Sequence, residues 1–162
     1  MLLQYVRIAF SVASVFLVGA AFAQSAAPYG LSISLENAKK ASAAAVAEAR
    51  KNNWNMAIAI VDPSGTLVYY EKMDNTQLGS AKIAIDKART AALFKRPSKV
   101  FQDRVTSGNT GLPVLGIEGI APLEGGIPLV TDGHIVGAIG VSGDSSDHDG
   151  ICAQAGIDAL SK

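Results

Sequence analysis

From Leu31 onward, apolar and polar positions alternate with two different periods. Leu35, Ala38, Ser42, Ala45, Val46 and Ala49 recur at the spacing of one helical face. Ser34 precedes them as an N-cap, and Glu36 puts a negative charge in the first turn, where it opposes the helix dipole. The pattern predicts an amphipathic helix ending near Asn52-Asn53, with a contact face rich in alanine. Residues 56–61 and 66–72 then read as strands joined by Asp62-Pro63-Ser64-Gly65, where proline presets one turn dihedral and glycine relieves another. After a polar loop at residues 74–77, Leu78, Ala81, Ile85, Ala88 and Ala92 mark a second helix that must close before Pro97. A shorter helix capped by Ser98 reaches Val105 and is broken by Ser107-Gly108-Asn109-Thr110-Gly111.

Residues 112–123 contain Pro113, Gly116, Gly119 and Pro122, and read as a loop with at most one short strand at 115–120. The apolar runs 127–131 and 134–141 flank Asp132-Gly133, the signal for a type I′ hairpin turn. The second arm, Ile135-Val136-Gly137-Ala138-Ile139-Gly140-Val141, alternates branched with tiny residues. One face can therefore carry large side chains while the other admits a close backbone, either for tight packing or as a ligand floor. A last helix runs through Ile151, Ala155 and Leu160. The order α-β-β-α-α-(β)-β-β-α predicts a single α/β (α+β) domain, a mainly antiparallel sheet flanked by α-helices, and excludes a doubly wound dinucleotide fold.

Composition changes this picture chiefly at the N-terminus. Arg7, an apolar run over residues 8–18 and Ala21-Phe22-Ala23 have the layout of a signal peptide, so residues 1–23 are expected to be removed and the mature chain to begin at Gln24. Residues 24–30 read as a flexible leader and 31–162 as the domain. Export predicts a periplasmic or secreted protein without stable membrane insertion. A mature chain of about 140 residues can bury a core without disulfides, and Cys152, the one cysteine, has no intramolecular partner. The 14 basic and 14 acidic residues cancel, so the total charge gives no case for nucleic acid as a partner. Their distribution is uneven: Lys82, Lys87, Arg89, Lys95, Arg96, Lys99 and Arg104 make the middle basic, and the C-terminal third is acidic.

Few residues carry recognisable chemistry. Ser142 and Ser145 lie near His148, but no oxyanion hole accompanies them and no catalytic residue is assigned. Asp144, Asp147, His148 and Asp149 are metal-ligating types, although their position suits a capped helix start better. Tyr69, Tyr70 and Met73 read as strand and core residues. Met73, His134 and His148 could ligate haem iron, while covalent attachment is excluded because no Cys-x-x-Cys-His motif occurs. Gly125-Gly126 lacks the pattern of a phosphate loop.

Taken together, Ala81-Lys82, Lys87-Ala88-Arg89-Thr90-Ala91, Gly125-Gly126-Ile127-Pro128-Leu129, the run Gly133 to Gly143, Asp147 and Ala153-Gln154-Ala155-Gly156 resemble the GlcG/HbpS-like family. The resemblance spans nearly all of the mature chain. It implies a profilin-like α-β-α sandwich, akin to the C-terminal domain of PduO-type proteins, together with non-covalent haem binding and homo-oligomerisation. In secreted members it implies haem capture, storage or sensing; other members accompany glycolate or corrinoid metabolism. PduO-type relatives carry a histidine ligand on the first helix, whereas residues 35–51 contain none. Ligation by a hydroxyl would make Thr76, Thr106 or Thr110 candidates, and the metal ligand stays open.

The expected pocket combines the loop at residues 74–79, the basic helix and Gly125-Gly126, with Thr76, Lys82, Lys87, Arg89, Gly125 and Gly126 as cofactor-binding residues. An enzyme or binding protein for a small carboxylate or corrinoid-related metabolite, with Lys82, Lys87 or Arg89 as anion clamp, is one alternative. A ligand-free oligomeric scaffold is the other.

Overall fold

The helix at the N-terminal side of the domain forms for the local reasons written in its sequence. Ser34 Oγ accepts a hydrogen bond from the Asn37 amide at 3.2 Å, and α1 (Leu35–Lys51) follows. In the computed structural model, which describes residues 26–161, the remaining elements are β1 (Ala57–Val61), β2 (Leu67–Lys72), α2 (Leu78–Phe94), α3 (Lys99–Thr106), a 3-10 helix (Asn109–Gly116), β3 (Gly126–Thr131), β4 (His134–Ser142) and α4 (Ser146–Leu160). The expected signal peptide lies outside the described residues. Among those described, no helix is long and apolar enough to cross a membrane.

Both hairpin turns use the chemistry their sequences offer. The Asp62 carboxylate accepts from the Ser64 and Thr66 amides at 2.8 and 3.0 Å, and Gly65 takes a positive φ of 81°. Asp132 and Gly133 both have positive φ, 49° and 74°, as a type I′ turn requires. The four strands pair in the order β2-β1-β4-β3, and every neighbouring pair is antiparallel.

The period-two alternation sends the two faces of the sheet to different helices. Ile58 and Ile60 of β1, with Ile139 and Val141 of β4, pack under α1 and α4 together with Cys152 and Ala153. Ala57, Ala59 and Val61, with Ala138, meet Ala84, Ala88, Ala91 and Ala92 of α2. The small residues of that second face let the α2 backbone lie almost on the sheet. A Cβ built on Gly140 would fall 2.1 Å from the Ala84 carbonyl oxygen and 2.5 Å from the Ala88 nitrogen. The alternation in β4 therefore serves packing and provides no ligand floor.

Three local expectations change. Residues 115–120 form no strand; residues 115–116 end the 3-10 helix, which contains Pro113, whose fixed φ suits that conformation, and residues 117–119 turn away from it. Ser98 occupies the N-cap position of α3, but its side chain makes no cap bond. Its hydroxyl donates to the Leu123 carbonyl at 2.6 Å and accepts from the Gly126 amide at 2.9 Å, tying the loop before β3 to the start of α3. The leader is partly ordered: Tyr29 forms a parallel bridge with Ile135, whose amide donates to Pro28 and whose carbonyl accepts from Gly30. This pairing uses the β4 edge beyond the end of β1, a row of backbone groups that would otherwise lack partners.

Because the Gly140 contact is with backbone, it cannot be relieved by a rotamer change. Gly140→Ala is expected to destabilise the protein by about 1–3 kcal/mol through overpacking, read as a lower urea midpoint at unchanged slope.

Candidate functional site

Lys87, expected as an anion clamp, is 1% exposed. Its position on α2 points it into the protein, where Nζ donates to Asp149 Oδ2 at 2.6 Å and to the Val141 carbonyl at 3.1 Å. Asp149, in the first turn of α4, is equally buried and also accepts from the Asp144 amide at 3.4 Å. Burial pushes the Lys87 ammonium below its ordinary pKa and the Asp149 carboxyl above its own, while their mutual attraction opposes both shifts. The ammonium is thus occupied inside the fold.

Gly125 and Gly126 belong to the same internal construction. Gly125 has φ of 124°, and a Cβ there would lie 2.6 Å from the Val141 oxygen and 3.1 Å from Lys87 Nζ. A Cβ on Gly126 would lie 2.2 Å from the Lys87 carbonyl oxygen. Both glycines are buried and are needed for close packing over Lys87.

The other expected residues do not converge either. Thr76 is buried, and its hydroxyl lies 2.8 Å from the Met73 carbonyl and 3.2 Å from that of Met56. Lys82 is exposed and paired with Asp86 one turn along α2. Arg89 donates through Nε to the Gly65 carbonyl at 3.1 Å. Each of these groups already has an intramolecular partner at a different place.

Two of the clefts in the structure lie at opposite ends of the sheet. The first, of about 300 Å³, is polar and is lined by Arg50, Asn55, Glu71, Lys72, Met73, Asp74 and Asn75, so it includes the start of the expected loop. Met73 packs against the core, and its sulfur accepts from the Met56 amide at 3.4 Å. The second cleft, of about 720 Å³, lies where β4 begins and is lined by residues including Tyr29, Leu31, Asp132, His134 and Val136.

The N-terminal strap builds one wall of this second cleft. Tyr29 is held by the bridge to Ile135 and by its hydroxyl, which donates to the Ala92 carbonyl at 3.0 Å; Leu31 stands 89% exposed beside it. Lys95, in the left-handed conformation that ends α2, places Nζ 4.0 Å from the Tyr29 ring centroid. His134 Nδ1 lies 2.9 Å from the Asp132 carbonyl oxygen. A carbonyl can only accept, so this contact puts the proton on Nδ1 and leaves a lone pair on Nε2 of the neutral ring. Aliphatic and aromatic walls and an exposed imidazole suit a flat, largely apolar molecule, and the Asp132 carboxylate lines the same cleft.

The second histidine sits in a different setting. His148 stacks on Trp54 with centroids 3.9 Å apart and planes 14° from parallel, and its nitrogens lie 3.6 and 3.9 Å from Asp144 and Asp147 carboxylates. Among the described residues, no group of three or more His, Cys, Asp or Glu side chains is arranged to hold a metal ion. The nearby acids flank the start of α4, in keeping with the helix-start reading, and Asp149 turns inward to Lys87. Cys152 is buried, and desolvation followed by the nearby carboxylates raises its pKa to about 12, so the thiol is unreactive.

Sequence reasoning missed Tyr29 and Lys95, which owe their proximity to the strap; His134, one of the possible haem ligands, is exposed at the start of β4. The left-handed residue just before Arg96-Pro97 and the aromatic Pro28-Tyr29 preceding the domain were the available signals.

With this geometry in hand, the comparisons with known proteins are consistent with one another. The sequence matches the family described as haem degrading protein HbpS-like over residues 33–158, and the chain belongs to that family. It is 43% identical over 100 residues to Protein GlcG of Escherichia coli K12, an alignment covering 62% of this chain and 73% of that protein. The crystal structure of HbpS superposes with a TM-score of 0.73 at 33% identity, covering 81% of this chain and 92% of the other. That of the PduOC:Heme complex gives a TM-score of 0.72 at 30% identity, with coverages of 80% and 95%. The resemblance read from the motifs, including the relation to PduO, therefore holds, as does the fold it implied.

The buried pair makes a test of its own. Lys87→Met or Asp149→Leu alone leaves one charge uncompensated and is expected to cost about 3–5 kcal/mol, whereas the double substitution recovers much of that loss. Urea denaturation of the three variants measures the difference.

Proposed function

We propose that this chain is an exported haem-binding protein that holds haem non-covalently for capture, storage or sensing. The observation that carries this reading is membership of the HbpS-like family, in a chain whose 720 Å³ cleft at the start of β4 has Tyr29, Leu31 and Val136 as apolar walls beside His134. A structurally similar protein was solved as the PduOC:Heme complex, which supports the same ligand here.

The residues present fit the apolar part of the cofactor. Tyr29, Leu31 and Val136 would give a porphyrin apolar contact, while the Asp132 carboxylate lines the same cleft and the Lys95 ammonium lies over the Tyr29 ring. When bound, haem would supply a redox-active iron whose behaviour depends on its axial ligand and on the polarity of the cleft. Thr76, Lys82, Lys87, Arg89, Gly125 and Gly126 would then act through the fold that supports the cleft and not by touching the cofactor. Export draws its support from the signal-peptide pattern at residues 1–23. Homo-oligomerisation is supported by the exposed Leu112, Leu115 and Ile117 around the 3-10 helix.

The kinship with PduO gives some support to a second reading, a small carboxylate or corrinoid-related ligand. Arg50 and Lys72 in the polar cleft would then replace Lys82, Lys87 and Arg89 as the anion clamp.

Titration of the purified protein with hemin is expected to give a saturable Soret shift at micromolar protein. A spectrum equal to that of free hemin at every ratio would rule the reading out. The same preparation, recovered from cells expressing residues 1–162, is expected to begin at Gln24 by mass spectrometry if the leader is processed.

A further inference from the structure

We propose that the N-terminal strap is an interface with a second copy of this chain, in which Leu31 of each copy enters the cleft beside Leu31 of the other across a twofold axis. The inference rests on the homo-oligomeric part of the reading above and adds a surface, an anchor and a symmetry, which that reading leaves open.

Leu31 is 89% exposed, more than any other large apolar side chain among the described residues, yet its backbone is fixed. The Gly30 amide donates to the Ile135 carbonyl at 2.9 Å and the Ile33 amide to the Val136 carbonyl at 2.8 Å, so the strap is pinned to β4 on both sides of Leu31. Ile33 is buried in the core, and Gly30 lies so near the hairpin that a Cβ there would stand 2.8 Å from the Cβ of His134. An apolar side chain displayed on a fixed backbone loses little further backbone freedom when it docks. Such preorganisation is what an interface anchor needs.

Beside this knob there is a hole. A third cleft, of about 330 Å³, shares Leu31, Thr131 and Val136 with the larger one and continues to Ile33 and Leu160. Ser32, Ser34 and Asn37 supply its polar lining, and unlike the other two clefts it has no charged side chain in its wall. A leucine can therefore enter it without desolvating a charge. Leu35 and Val130, next in sequence to the lining residues Ser34 and Thr131, are also exposed and add apolar surface beside it.

Symmetry and charge decide what covers this patch. In a twofold contact one surface meets itself, so a knob requires a hole and a cation requires an anion within the same patch. Leu31 and the cleft beside it meet the first requirement. Lys95 and Asp132 meet the second: Lys95 lies over the Tyr29 ring, Asp132 lines the cleft that Tyr29 also lines, and among the described residues neither makes an ion pair. Across the axis, Lys95 of one copy would face the partner's Asp132. A patch carrying a single sign of charge would repel its own copy, whereas this one is complementary to itself.

The test follows hemin-free protein, recovered from cells expressing residues 1–162, by sedimentation velocity over a range of concentrations. Association to a dimer, or to a multiple of it, is expected. Leu31→Asp should weaken that association by about tenfold or more, with an unchanged circular dichroism spectrum. Lys95→Glu and Asp132→Lys should each weaken it alone, because each sets like charges opposite one another. An equimolar mixture of the two should regain it, since both contacts between unlike variants then pair opposite charges. Undiminished association in Leu31→Asp, or a mixture that associates no more tightly than its separate components, overturns the strap interface while the homo-oligomer reading stands. A protein that is monomeric at every concentration overturns both, and hemin titration reads haem binding separately from either. Leu31→Asp alters only an exposed side chain, so poor folding of Lys95→Glu or Asp132→Lys would still leave the proposal open to refutation by that variant.

Discussion

The buried contact between Lys87 and Asp149 joins three elements that share no sequence neighbourhood. Lys87 comes from the middle of α2, Asp149 from the first turn of α4, and the Val141 carbonyl that completes the contact from β4. Desolvating both charges is costly, so the pair contributes little net stability unless every hydrogen-bonding group around it is placed well. What it provides is specificity: α2 and α4 lie on opposite faces of the sheet, and the pair joins them near the end of β4. Gly125 and Gly126 follow from this arrangement, because any side chain on either would enter the space that the lysine and its backbone occupy.

The same constraint explains the uneven faces of the sheet. On one side, large branched residues pack beneath α1 and α4. On the other, alanines and Gly140 let α2 approach until its carbonyls nearly touch the strand. A wider spacing would pull Lys87 away from Val141 and leave its ammonium buried without compensation. The alanine-rich face of α2 and the buried ion pair are therefore two parts of one packing solution.

Much of this architecture was legible because it is written locally. The alternation in β1 and β4, the Asp132-Gly133 turn, the Ser34 cap and the stop before Pro97 each act over a few residues, and each produced the expected element. The family motifs added the sheet and its flanking helices. The candidate site was less legible for a physical reason. Lys87 and Arg89 look alike in sequence, yet a two-residue step along a helix rotates the side chain by more than half a turn; Lys87 enters the core while Arg89 reaches outward to Gly65. Asp149 reads as one of several acids suited to a helix N-terminus, and only the tertiary structure distinguishes it from Asp147. Tyr29 is separated from Ile135 by most of the chain, so no local pattern could report their pairing.

The basic stretch that first suggested an anion pocket is distributed by these contacts. Lys82 pairs with Asp86, Lys99 with Asp103, Arg89 binds a turn carbonyl and Lys87 is sealed inside. Exposed ion pairs of this kind contribute little energy, but they do draw cations away from a common focus. Lys95 differs because the helix ends there in the left-handed conformation, turning its side chain toward Tyr29 instead of along the basic face. That turn brings one cation to the strap, whose Tyr29 and Leu31 side chains face the imidazole of the hairpin across the cleft. Charge count along the sequence therefore points to α2, whereas backbone geometry at its last residue moves the usable charge to the other end of the sheet. The chemistry that a ligand would meet is decided by where the helix stops.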